Sequence, residues 1–210
     1  MLKFIFFDLG NVLFRFSIDV MLLRGAAVLG CSVAELRRLI FDDGWSRKLE
    51  TGKITEREFF EIVCDKFGVY PDCVEFADAF NDIFTEVIEI RPFLEYLLSI
   101  NFPRGILSNT SSGHWNHVVS KYSYLKKLIP DNHVLSFQTG SMKPDQAIFE
   151  YAMKTAQKAV GNEIELGTHE ILFIDDLKRN IDGAAAFGFD TIQFTDWQHV
   201  NNELKKRKFN

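Results

Sequence analysis

Leu2-Lys3-Phe4-Ile5-Phe6-Phe7-Asp8-Leu9-Gly10-Asn11 is the stretch that decides the fold. From Leu2 to Phe7 the run is apolar with no polar alternation, the pattern of a strand buried on both faces of a parallel sheet. It ends abruptly in a carboxylate and a turn. Asp8 also cuts the apolar run far short of a signal-peptide core or a membrane span.

Beyond residue 91 the same grammar repeats. Pro92 suits the first turn of a helix through Ile100. Gly105-Ile106-Leu107 is a strand that ends in Ser108-Asn109-Thr110. His133 to Phe137 is another, leading to Gly140-Ser141-Met142-Lys143-Pro144-Asp145 and a helix through about Lys158. Ile171 to Ile174 ends in Asp175-Asp176 before a helix that Gly188 terminates, and Thr191 to Phe194 is followed by a C-terminal helix. Strand and helix alternate, which predicts a doubly wound, Rossmann-like parallel sheet.

Between these parts, from about Ser17 to Glu89, the signals are helical. Ser17 caps a first helix that stops near Gly30, and Ser32 with Glu35 and Thr55 with Glu58 each fit a capping box. Gly52 and Gly68 sit where helices end, and Pro71-Asp72 opens an amphipathic stretch to about Phe84. No strand is expected there. The chain therefore reads as an α/β core, residues 1–16 and 90–210, with an all-helical cap of residues 17–89 inserted after the first strand.

The 210 residues are 47% hydrophobic and 25% charged, ordinary for a soluble globular chain. A net charge of −5 supplies no basic field, which argues against nucleic acid or an anionic membrane as the main partner. Twenty-one Phe can build a substantial core without disulfides. Cys31, Cys64 and Cys73 form no Cys-x-x-Cys and read as buried free thiols, which places the protein in the cytoplasm. Asn109-Thr110-Ser111 matches a glycosylation acceptor by chance. Lys205-Lys206-Arg207-Lys208 reads as a solvated helix end.

In an open α/β sheet the carboxyl ends of the strands face one crevice. Asp8, Ser108-Asn109, Lys143 and Asp175-Asp176 would converge there. Each has a plainer reading: an Asp after a strand is also a helix N-cap, Ser-Asn-Thr is turn chemistry, and Lys-Pro is a surface loop. The conjunction is what points to chemistry. Two carboxylates about 4 Å apart repel by roughly 4 kcal/mol at an effective dielectric of 20, so the cluster calls for a cation. With no His or Cys alongside, a hard, oxygen-liganded Mg²⁺ fits. Metal, ammonium, hydroxyl and turn amides together suit a phosphoryl group, with Asp8 as the attacking nucleophile.

Phe6-Phe7-Asp8-Leu9-Gly10-Asn11-Val12-Leu13, Leu107-Ser108-Asn109-Thr110, Lys143-Pro144-Asp145 and Phe173-Ile174-Asp175-Asp176 resemble the four ordered motifs of the haloacid dehalogenase-like hydrolase superfamily, in its helical C1-cap type. The likeness spans the whole chain. The Leu-Gly-Asn-Val wording, the Ser-Asn-Thr followed by His114, and Glu50-x-Gly52-x-Ile54 resemble the bacterial α-D-glucose-1-phosphate phosphatase group. The resemblance implies Asp8 as nucleophile and metal ligand, and the Gly10 carbonyl as a second ligand. Asp176 would be the main acidic ligand, with Asp175 direct or through water. Leu9, Gly10, Ser108, Asn109, Lys143 and His114 would hold the phosphoryl group of a small phosphorylated metabolite, a sugar 1-phosphate among the options.

Gly10 departs from the superfamily, most of whose phosphatases carry a second Asp there as general acid and base. A glycine is also compatible with a turn at φ > 0. Asn180, one turn past Asp176, either supports the site or lies on a surface helix. Trp45, Arg47 and Glu50 could face the pocket from the cap, and His117 lies one turn beyond His114. Two other readings remain: a 2-haloacid dehalogenase, where Asp8 would attack carbon, and a degenerate, non-catalytic domain of the same fold.

Overall fold

The computed structural model describes residues 1–129, 131–161, 163 and 165–209. Its strands are β1 (Phe4–Phe7), β2 (Phe14–Phe16), β3 (Phe84–Glu86), β4 (Arg104–Ser108), β5 (His133–Leu135), β6 (Ile171–Asp175) and β7 (Asp190–Gln193). Helices α1 (Ile18–Leu29), α2 (Val33–Arg37), α3 (Trp45–Glu50), α4 (Glu56–Phe67) and α5 (Cys73–Asn81) lie between β2 and β3. Then come α6 (Arg91–Ser99), α7 (Ser112–Lys121), α8 (Leu125–Leu128), α9 (Ser136–Thr139), α10 (Gln146–Val160), α11 (Lys178–Phe187) and α12 (Trp197–Lys206).

The central sheet is five-stranded, in the order β5-β4-β1-β6-β7, and all its pairs are parallel. Every residue of β1 is fully buried because the strand is sandwiched. Phe4 and Phe6 pack with Phe149, Ala152 and Ala156 of α10 and Ala184 of α11. Ile5 and Phe7 face the other way, toward Leu94 and Leu97 of α6 and Trp197 and Val200 of α12. This alternation, with helices on both faces, is what makes an uninterrupted apolar run a central strand. Phe7 pairs with Ile106 on one side and Ile174 on the other. The register therefore delivers Asp8, Ser108 and Asp175 to the same edge. The chain leaves β1 toward β4 and β5, then returns to add β6 and β7 on the opposite side, so β1 and β6 flank the point where strand order reverses.

The helical insertion keeps the expected local chemistry. Ser32 with Glu35 and Thr55 with Glu58 form complete capping boxes, and Ser17 caps α1. It is not all helical, however. β2 and β3 pair antiparallel and tie the insertion's two ends together, Phe14 opposite Glu86 and Phe16 opposite Phe84. The residues read as the tail of a helix at Phe84 are a strand because their partner lies far back in the chain, where no local pattern signals it. The strand at His133 also stops earlier than its apolar run, at Leu135. The Ser136 hydroxyl accepts from Thr110 N at 2.9 Å and donates to Thr110 O at 3.1 Å, which turns the chain into α9.

The cysteines are unpaired, but only Cys64 is buried; Cys31 is half-buried and Cys73 exposed. Thr110 and Ser111 of the acceptor-like triplet are buried. In the basic tail, Arg207 is tied to Asp190 and Glu203. No helix among the described residues is long and apolar enough to cross a membrane.

Candidate active site

The strand ends build the site around a buried ammonium. Lys143 Nζ lies 2.9 Å from Asp8 Oδ1 and 2.6 Å from Asp175 Oδ2, and donates to Leu107 O at 2.9 Å. All three charged groups are buried. Lys143 arrives on a loop, so something must hold that loop. Asn109 does: its Nδ2 donates to Lys143 O at 3.0 Å, and its Oδ1 accepts from Lys143 N at 2.8 Å. The Asn109 side chain, expected on the phosphoryl group, holds this clamp, and Asn109 also lines the cavity beside Ser108. The Ser108 hydroxyl beside the Asp8 carboxylate works to hold its pKa down, and Leu9 N donates to Asp8 Oδ1 at 2.7 Å.

The two aspartates of the pair differ. Asp175 is saturated: its oxygens accept from Lys143, from Leu177 N at 2.8 Å and from Asn180 Nδ2 at 3.0 Å. Asp176 is half-buried and accepts from Asn11 Nδ2 at 2.9 Å. Oxygens of Asp8, Asp175 and Asp176 lie within 4.8 Å of one another. Three carboxylates thus share one ammonium. The donors are all hard oxygens, and Asp176 has no cationic partner in the cluster, so the set fits a Mg²⁺-like ion.

Burial pushes the Asp8 carboxyl up to about 7; Lys143 draws it down and Asp175 pushes it further up. Burial works against the Lys143 ammonium, but Asp8 and Asp175 outweigh it and raise its pKa.

Above the nucleophile the surroundings are apolar. Gly10 does not have a positive φ. The space a side chain would need is instead filled by Phe16, whose Cε1 would lie 2.8 Å from an added Cβ. A cavity of about 820 Å³ runs from Leu9, Gly10, Ser108 and Asn109 into the insertion. Glu50 lines it, and burial raises its carboxyl to about 7 against the pull of Arg47 and Arg179. Trp45 instead lies under Lys48, 3.8 Å from its ring centre. Arg47 is exposed, 3.8 Å from Asp145.

His114 lines the cavity, but its contacts are with the insertion: Nε2 is 3.2 Å from Phe80 O, and its ring meets Phe84 edge-on. Burial lowers its pKa, with Glu56 opposing. His117 pairs with Asp82.

Sequence reasoning left Asn180 open; it is buried and orients Asp175, and its one-turn spacing from Asp176 was the signal. It missed Asn11, Phe16 and Glu56. Glu56 accepts from Gly113 N at 2.6 Å and Ser112 Oγ at 3.1 Å, docking α4 on the first turn of α7. Only the fold brings these groups to the site.

Among known proteins, the family model described as haloacid dehalogenase-like hydrolase matches residues 2–188. A D-ribitol-5-phosphate phosphatase of Bacteroides thetaiotaomicron is 29% identical, across 94% of this chain and 96% of its own. A HAD family enzyme of the same organism, solved in complex with magnesium and inorganic phosphate, superposes with a TM-score of 0.80 at 22% identity, covering 95% of this chain and 99% of that one. A HAD-like family hydrolase from Porphyromonas gingivalis gives 0.78 at 24% identity, with 98% of each chain covered. At these identities the structural likeness is one of fold.

Proposed function

The chain belongs to the haloacid dehalogenase-like hydrolase family, and we propose that it is a Mg²⁺-dependent phosphatase acting on a small phosphorylated metabolite through an aspartyl-phosphate at Asp8. The observation that carries this reading is the buried Lys143 ammonium held between Asp8 and Asp175, at 2.9 and 2.6 Å, with Asp176 beside them. A carboxylate fixed against an ammonium, with its neighbours Leu9, Gly10 and Ser108 lining a cavity, is a nucleophile with its charge partner in place.

An oxygen of Asp8 attacks phosphorus, the ester oxygen departs and takes up a proton, and water then cleaves the phosphoryl group from Asp8. Lys143 stabilises charge on the oxygens around phosphorus, with the Ser108 hydroxyl beside it. Asn109 keeps Lys143 in register. Asp8, the Gly10 carbonyl and Asp176 would hold the metal, with Asp175 behind them. Bound there, Mg²⁺ offsets the negative charge of the carboxylates and of the phosphoryl oxygens. Residues 17–89 act as the cap, closing over the cavity. The unpaired cysteines suit the cytoplasm. The D-ribitol-5-phosphate phosphatase relative keeps sugar and polyol phosphates in the substrate panel.

Phosphate release from 4-nitrophenyl phosphate tests the reading. Turnover should require a divalent metal and vanish in Asp8→Asn. Full activity in excess chelator, or an active Asp8→Asn enzyme, would end it.

A further inference from the structure

We propose that the alcohol half of the substrate is apolar, a hydrocarbon-bearing phosphate monoester rather than a sugar phosphate; this rests on the phosphatase reading above. The first observation is Phe16. Its ring stands against Gly10, two residues past the nucleophile, and is 37% exposed. The surface offered to the departing group beside Asp8 is therefore a phenyl ring, where a polar side chain would otherwise stand.

The second is the cavity's lining. Phe16, Ile18, Phe41, Leu49 and Phe60 all line it, and none is fully buried. These are apolar surfaces that face open space next to the catalytic groups, and they gain when a ligand covers them.

The third is how little polarity is left over. His114 is engaged by Phe80 O, His117 by Asp82, and Glu56 by Gly113 and Ser112. Glu50, its carboxyl raised to about 7 by burial, is left to meet a hydroxyl. A sugar or polyol brings several hydroxyls, each of which loses water on entry and needs a partner in return. The remaining charged groups of the lining are exposed, Arg57 paired with Glu61, and Asp78, and the uncharged Ser46, Asn81 and Asn116 are few beside its rings. At about 820 Å³ the space also exceeds what a five-carbon chain needs. It lies within the range of about 300–1,000 Å³ that takes a much larger ligand.

Primary alkyl phosphates test this cleanly, because butyl, hexyl and octyl phosphate share one leaving-group basicity, and the missing acid at Gly10 weighs equally on them. The neighbouring hydroxyls of D-ribitol 5-phosphate make its alkoxide the less basic leaving group, so a lower rate for it cannot come from the missing acid. Each methylene buried in the cavity should raise kcat/KM by roughly fourfold, so octyl should exceed butyl on the order of a hundredfold, with D-ribitol 5-phosphate below hexyl. A flat alkyl series, or D-ribitol 5-phosphate turned over as well as octyl phosphate, would overturn the proposal. Phe41→Asn and Phe60→Asn should each reduce the gain per methylene; an unchanged slope in both would overturn its assignment to this cavity.

Should no ester release phosphate, the phosphatase reading has failed, and the cavity is read by binding instead. Octylphosphonate should bind on the order of a hundredfold more tightly than butylphosphonate by calorimetry. Equal affinities would overturn the inference.

Discussion

At position 10 a missing side chain sets the chemistry. Without an acid there, kcat/KM should fall steeply as leaving-group basicity rises, within the roughly 10⁴-fold that a general acid supplies. Phe16 predicts what repair requires. Gly10→Asp alone should gain less than the same change with the ring removed, because its Cβ would lie 2.8 Å from the ring, which must swing aside. Gly10→Asp with Phe16→Ala should flatten the dependence. A leaving-group series in both variants checks this, and a flat wild-type series would show that another residue already gives the proton. The aspartate pair makes a second prediction. Asp176→Asn should weaken Mg²⁺ binding with little change in Tm. Asp175→Asn should instead lose about 1–3 kcal/mol of stability, since it breaks a buried charge-assisted bond to Lys143 while Asp8 still pairs with the ammonium. Melting curves and metal titrations separate the two. Asp8, Lys143 and the pair were legible because charged residues at the ends of apolar strands have few other uses. The role of Asn109 was not legible, because it serves the backbone of a residue that only tertiary structure brings near.

Among the contacts that seat the helical insertion on the sheet, the Gly52–Phe137 approach and the β2–β3 ribbon have no local signature. Gly52, between α3 and α4, has φ +65°, and a Cβ there would overlap the Phe137 carbonyl of α9. Gly52→Ala should therefore cost about 2 kcal/mol or more, through both backbone strain and collision; a change in Tm near zero would contradict the contact. Sequence marked this glycine only as a helix end. The capping boxes at Ser32 and Thr55 were legible because their partners lie three residues away. The β2–β3 ribbon was not, because its two strands are separated by the entire insertion. Glu50, at the end of α3, carries a pH prediction. Its carboxyl rises from 4.5 to about 7 on folding, so the folded state holds its proton while the unfolded chain loses it. Stability from this group is full below pH 4.5 and declines as pH climbs toward 7, by at most about 3 kcal/mol. Glu50→Gln should remove that decline and leave the variant the more stable protein at pH 8. Denaturant melts at pH 4.5 and 8 test it, and equal pH slopes would refute the assignment.

Over the whole molecule, one strand order explains why so few residues suffice. β1 and β6 flank the point where strand order reverses, and Asp8 and Asp175 extend from those two strands. β4 adds Ser108, and a loop pinned to Asn109 adds Lys143. The insertion then walls the crevice with rings. The sheet was legible from its apolar runs. The character of the cavity was not, because rings such as Phe16, Phe41 and Phe60 count as core in any sequence pattern, and only packing shows which of them stop short of filling the space. The central claim is that Asp8 itself takes the phosphoryl group. Turnover of 4-nitrophenyl phosphate with Mg²⁺, quenched in acid during the steady state, reduced with borohydride and mapped by peptide mass spectrometry, tests it most directly. Reduction should mark Asp8 alone and disappear in Asp8→Ala. A mark on another residue, or none in an enzyme caught in mid-turnover, would contradict it.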